Sequence, residues 1–336
     1  MRNIFSYTSR KRNILNIVGG VLIALALLLF LASIASGLSP KETSEIDPIT
    51  FTLFLLFICI VIGIVAVLSG LGGGVIFTPL MIGFTPIDSY IVRGTGLVIA
   101  MAGALVAARP FLRRGLANIR LLFFAAVPYT LFAALGAVLA AYVKETMGVF
   151  GEALIRLMLG LLVLIISAIF LFGGKKVEYP EVKSVDSFTE KLELAMSYWE
   201  ESLNKVVDYK VTRAHVAIPC LCGVGLISGL FGLGAGWAMI PVFNLIMLAP
   251  LKVAAACSKV LIGIGDTAAV WPYIMGGAII PAFVVPCLVG LVVGTIIGAK
   301  IMLRVKAGLV RYLIIALMVI AGIRLIIQGF EMLRIV

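Results

Sequence analysis

One glycine-rich motif occurs twice in this chain, as SGLGGGVIFTP at 69–79 and as FGLGAGWAMIP at 231–241. Gly74 and Pro79 of the first copy stand 162 positions before Gly236 and Pro241 of the second (236−74 and 241−79). Both copies interrupt strongly apolar sequence. Glycine breaks at matching places in two halves of a hydrophobic chain point to the binding site of a two-repeat membrane transporter.

Composition supports the membrane reading. Of the 336 residues, 62% are hydrophobic and 13% charged, with mean hydropathy +1.19. A soluble domain carries about 25% charged residues, so the bilayer is the expected solvent. The net charge of +11 is not a nucleic-acid footprint, because the Lys and Arg sit in short tracts between apolar runs. The chain has one His and no GK[ST], HExxH or CxxC pattern. No cofactor or metal is expected. The five cysteines, Cys59, Cys220, Cys222, Cys257 and Cys287, all lie in apolar stretches and do not suggest a disulfide framework.

Apolar runs long enough to span, about 20 residues each, cover 14–36, 50–69, 89–108, 119–143, 152–173, 213–233, 252–271, 279–303 and 308–329. Two shorter runs, 75–85 and 237–248, follow the motifs and are expected to form broken or re-entrant helices. The first run exceeds the about 7–15 residues of a signal-peptide core and is expected to be retained, with cleavage after Ala35 as the alternative. Basic residues at the N-terminus, at 109–120 and at 304–311 mark cytoplasmic segments, whereas 37–49, 144–151 and 272–278 are poor in them. These placements close only if the two halves run in opposite senses. The expected fold is therefore an all-α polytopic membrane protein of two inverted repeats with Gly-broken helices, plus one extra N-terminal transmembrane helix. The divisions are 1–49, with a cytoplasmic N-terminus, 50–173 as the first repeat, 174–212 as a cytoplasmic connector and 213–336 as the second repeat. In the connector Phe188, Leu192, Met196, Trp199, Leu203 and Val206 recur at spacings of three and four, which predicts an amphipathic helix.

Few residues could carry chemistry. Gly72, Gly73, Gly74, Gly234 and Gly236 permit positive φ and close approach of a ligand. The short helices should start near Val75 and Trp237, aiming free amides at an anion; close helix packing is the alternative use of such glycines. Lys259 and Asp266 lie seven residues apart on one helix face, as an anion attractor and a proton carrier or as a structural ion pair. The outer interface marked by Trp271 and Tyr273 is close to Asp266. Arg93 either reaches the site or snorkels to headgroups. Thr95, the positional mate of Lys259, and Ser258 are candidate hydroxyl ligands. Arg156 and Arg324 should snorkel, and His215 should lie at the surface.

SGLGGGVIFTP followed by IVRGTG, and GLGAGWAMIP followed by AAACSKVLIG, resemble the two halves of the sulfite exporter TauE/SafE family across roughly 50–330. The resemblance implies movement of sulfur-containing anions, such as sulfite and sulfonates, across the cell membrane. Ala235 stands where the first motif has Gly73, Trp237 replaces Val75 and would narrow the cavity, and Lys259 adds a fixed cation. The expected function is a proton-linked secondary transporter of small sulfur anions, with a small anion and the lipid bilayer as its partners. An uptake permease for another small organic anion is the alternative within transport. A membrane sensor or intramembrane enzyme would need a nucleophile–base pair or metal cluster that the sequence does not display.

Overall fold

The computed structural model describes residues 48–69, 72–113, 115–172, 180, 182, 184–200, 204–302 and 307–335. The expected first helix, 14–36, and the N-terminal tail lie outside them. The described chain runs α1 (Pro48–Ser69), α2 (Gly73–Phe84), α3 (Ser89–Arg113), α4 (Ile119–Phe172), α5 (Ser187–Lys191), β1 (Met196–Glu200), β2 (Lys205–Tyr209), α6 (Ala214–Phe231), α7 (Gly236–Pro241), α8 (Leu251–Met275), α9 (Pro281–Met302) and α10 (Ala307–Ile335). Five π-helical residues, Val242–Ile246, prolong α7. Seven of the described helices are long and apolar enough to cross a bilayer. This is an all-α polytopic membrane architecture.

Local chemistry sets the helix ends. Asp88 Oδ1 accepts from the Tyr90 amide at 2.7 Å and starts α3. Asn118 Oδ1 accepts from the Leu121 amide at 3.1 Å and starts α4. Gly232, with φ 67, closes α6. At 54 residues, α4 far exceeds one crossing. It comprises two arms joined at Gly148, whose φ of 48 is the break. The loop expected at 144–151 thus shrinks to one residue, because Lys144, Glu145 and Glu152 are good helix formers.

The main helix pairings match between the halves. The first helix of each half packs on the fourth of the other, α1 on α9 and α6 on the first arm of α4. The third helices pair with each other, α3 on α8, and so do the fifth, the second arm of α4 on α10. Small residues allow this closeness. A Cβ at Gly290 or Gly294 would run into the backbone carbonyls of Leu56 and Ile60, and one at Gly136 or Gly229 into those of Leu226 and Ala133.

The connector departs from expectation. Instead of an amphipathic helix it holds one helical turn and an antiparallel hairpin pairing Met196 with Tyr209 and Glu200 with Lys205. The inward residues alternate, as strands require: Tyr198 and Tyr209 are buried, whereas Trp199 and Val206 are exposed. Asn118 Nδ2 donates to Leu194 O at 2.8 Å and to Tyr209 OH at 2.9 Å, fastening the hairpin to the start of α4. Burial raises the Tyr209 phenol above its ordinary pKa. Asp186 gathers the segment before α6, accepting from Thr189 Oγ1, Thr212 Oγ1 and the amides of Thr189 and Arg213. Partial burial opposes its ionisation, but these bonds outweigh it and hold the carboxyl well below the usual carboxylate range. His215 is exposed as expected, 3.3 Å from Asp186.

Candidate functional site: two helix breaks in contact

A helix that stops inside a bilayer leaves carbonyls without intrahelical partners, and these must be satisfied by protein. The end of α6 shows how. Arg93 Nη1 donates to Leu230 O at 3.0 Å, Tyr273 OH donates to Gly229 O at 2.9 Å, and Thr78 Oγ1 donates to Gly232 O at 2.8 Å. Three elements of the fold therefore converge on one break. The positive guanidinium also faces the negative end of the helix dipole.

The two motifs touch. A Cβ placed on Gly74 would lie 2.5 Å from Leu233 O and 3.0 Å from Gly96 O. One placed on Gly234 would lie 3.4 Å from Asp266 Oδ2 and 2.8 Å from the Ala100 Cβ. The first break thus rests on the backbone of the second, and the second runs along α3 from Arg93 to Ala100 beside the Asp266 carboxylate.

The expected backbone roles are sorted by these contacts. Gly72, with φ 98, and Gly234, with φ 68, need glycine for their conformation. Gly73, Gly74 and Gly236 are helical, so the short helices begin earlier than the expected Val75 and Trp237. Gly74 is small because backbone approaches it, which is the packing use of the residue. No side chain caps the start of α2 or α7. Val75 is fully buried, and Trp237 is half-buried with an indole N–H that has no partner.

Asp266 is fully buried, not wet at the outer interface as its neighbours in sequence suggested. It does not pair with Lys259. Its Oδ1 accepts from Tyr129 OH and, at 3.3 Å, from Ser228 Oγ, whereas Oδ2 has no hydrogen-bond partner. Tyr129 comes from α4 and Ser228 from α6, so three helices hold this carboxylate.

Arg93 does not snorkel. It is 1% exposed and spends its donors on Ser89 O and Leu230 O. Arg156 and Arg324 also turn inward, donating to Ile82 O and Gly83 O at the end of α2, with Gln328 donating to Gly83 O as well. Thr95 and Ser258 are fully buried, and both hydroxyl oxygens are without a partner. They are not together. Contacts of Gly94 with Tyr273, Met101 with Thr267 and Leu105 with Gly263 set α3 antiparallel to α8. That register puts Ser258 level with about residue 110, roughly 22 Å from Thr95 at 1.5 Å per residue. Lys259 stays with Ser258 and makes no ion pair among the described residues.

Sequence reasoning missed Tyr129, Ser228, Thr78 and Tyr273. Each is an isolated polar residue in an apolar helix, and that rarity was the available signal. Among the described residues no cluster of His, Cys, Asp and Glu could hold a metal ion, and all five cysteines are free.

The chain is 21% identical over 271 residues to the Bacillus subtilis (strain 168) "Probable membrane transporter protein YunE", a match covering 78% of this chain and 92% of that protein. No solved structure matches. The family model described as "Sulfite exporter TauE/SafE" matches residues 54–325, most of the chain and both glycine breaks, and the chain therefore belongs to the sulfite exporter TauE/SafE family of membrane transporters.

Proposed function

We propose that this protein is a secondary transporter that moves small sulfur-containing anions, such as sulfite or sulfoacetate, across the cell membrane by alternating access at the two helix breaks. The observation that carries the reading is the direct contact of the breaks beside a buried carboxylate: Gly74 against Leu233 O, and Gly234 against Asp266 Oδ2. The starts of α2 and α7, uncapped by side chains, supply amide donors and the positive ends of two helix dipoles. The indole N–H of Trp237 and the amides of Gly74 and Val75 are the donors assigned to the anion.

Asp266 gives this centre a means of proton coupling. An ionised carboxylate beside the breaks repels an anion, and a protonated one does not. Anion and proton therefore bind together, and flux follows their combined gradient. The halves are read as inverted repeats, with the loops at 109–120 and 304–311 cytoplasmic and the N-terminus on the same side. Rocking of one half against the other about the α3–α8 contact would expose the breaks to each face in turn.

Purified protein in liposomes tests this reading. Radiolabelled sulfite, sulfoacetate and thiosulfate are supplied on either side, and net flux is followed beside any chemical conversion. The proposal expects saturable movement of at least one of these anions without product formation. Conversion without flux would identify an enzyme instead.

A further inference from the structure

Thr95 and Ser258 lie in the helix that follows the break in each half, 163 positions apart (258−95), with Ser258 next to Lys259, the positional mate of Thr95. Both are fully buried, and neither hydroxyl oxygen has a hydrogen-bond partner. A buried hydroxyl without a partner is costly, and here one lies in the third helix of each half. The α3–α8 register separates the pair by roughly 22 Å along the helix axes. Their midpoint falls near Asp266, so each hydroxyl sits roughly 10 Å to one side of the carboxylate. A sulfite-sized anion at the breaks cannot touch both.

The two ends differ in charge. Beside Ser258 stands Lys259, which makes no ion pair among the described residues. Beside Thr95 stands Gly96, and the nearby Arg93 guanidinium is already committed to Ser89 O and Leu230 O. The Ser258 end is also the connector end. Cys257 Sγ lies 3.9 Å from Asn118 O, and Asn118 in turn holds Leu194 and Tyr209 of the hairpin segment.

We propose that Ser258 and Lys259 form a second oxyanion station, separate from the centre at the breaks and placed between that centre and the connector face. The Ser258 hydroxyl donates to the anion, and the Lys259 ammonium supplies the charge. Thr95 is the matching station toward the other face, without a cation of its own. The path therefore holds the anion more tightly on the connector side. This inference rests on the anion-transport reading for the identity of its ligand.

Sidedness is the test. Vesicles of known orientation carry wild type, Lys259→Met, Lys259→Arg and Ser258→Ala, and sulfite is supplied from one face at a time. Lys259→Met should raise KM for sulfite on the connector face about tenfold, and less than about twofold on the other face, with Lys259→Arg near wild type. An equal rise from both faces would place Lys259 at the centre and overturn the proposal, as would no rise at all. Equilibrium dialysis of purified protein with radiolabelled sulfite gives an answer that does not need flux. Wild type should bind more than one sulfite per chain, and the double variant Lys259→Met with Ser258→Ala should lose one. Unchanged stoichiometry overturns the station even where transport is intact. Absent flux with an intact, Lys259-dependent site would instead overturn the transport reading.

Discussion

Two glycines of α2, Gly74 and Gly83, and Gly72 just before it separate packing from conformation. A Cβ at Gly74 would meet Leu233 O at 2.5 Å, Leu233 C at 2.9 Å and Gly96 O at 3.0 Å, all backbone atoms that cannot rotate away. The two breaks must move apart by several tenths of an ångström, and overpacking of this kind costs about 1–3 kcal/mol. Gly72 has nothing within 4 Å of its would-be Cβ, but its φ of 98 is a conformation that side chains avoid, again at about 1–3 kcal/mol. Gly83 has helical φ and its nearest neighbour at 3.8 Å, an ordinary contact. There alanine gains about 0.8–1.0 kcal/mol of helix propensity. Gly74→Ala and Gly72→Ala should lower the thermal unfolding midpoint in detergent and impair sulfite flux, and Gly83→Ala should do neither. Gly74→Ala with wild-type stability and flux would refute the contact between the breaks. Gly83→Ala as damaging as Gly74→Ala would show that α2 tolerates no methyl anywhere, whatever its surroundings.

Other consequences are as direct. Asp266→Asn should abolish sulfite uptake driven by a pH gradient while retaining sulfite exchange; undiminished gradient-driven uptake removes the coupling role. Arg93→Met removes one of the two donors to the buried Leu230 carbonyl, Tyr273 OH at 3.2 Å being the other, and should destabilise the protein by about 1.5–3 kcal/mol, the range for a bond from a charged donor, measured by thermal unfolding. Single cysteines at 113 and 275 in a Cys-free background should label from opposite faces of the membrane, and labelling from one face contradicts the inverted repeat. The depressed pKa of Asp186 means that its stabilising bonds are complete above the ordinary carboxylate pKa of about 3.9 and fade only as pH falls through the lower folded value. Proteolysis of the connector should therefore be flat from about pH 5 to 8 as far as this group governs it, and faster throughout in Asp186→Ala.

The helices were legible because apolar length is nearly sufficient to define them in a membrane. Ser89, Leu251 and Pro281 fall within two residues of the expected starts of their helices. The breaks were legible because the same motif appears twice. The hairpin was not, since Met196, Trp199 and Val206 satisfy a helical spacing while their neighbours Tyr198, Val207 and Tyr209 satisfy an alternating one. Deciding between them requires Asn118, which lies in the other half of the chain. Asp266 shows the same limit. Its sequence neighbours Trp271 and Tyr273 suggested an interface, but Tyr129 and Ser228, 137 and 38 positions away, define its surroundings. From its own neighbours Arg93 reads as a ligand or a surface cation, because a broken helix end at Leu230 is invisible from position 93. In each case the deciding partner is distant in the sequence.

Trp237 offers the most direct view of the centre itself. The chain has three tryptophans, and Trp199 and Trp271 are exposed, so both can be replaced by Phe to leave Trp237 as the sole indole. Its N–H is buried without a partner at the start of α7. Titration of this variant with sulfite should change the Trp237 emission saturably, at concentrations that match the KM for flux. Sulfite flux with no change in that emission would show that the anion passes elsewhere and would contradict a transport centre at the paired glycine breaks.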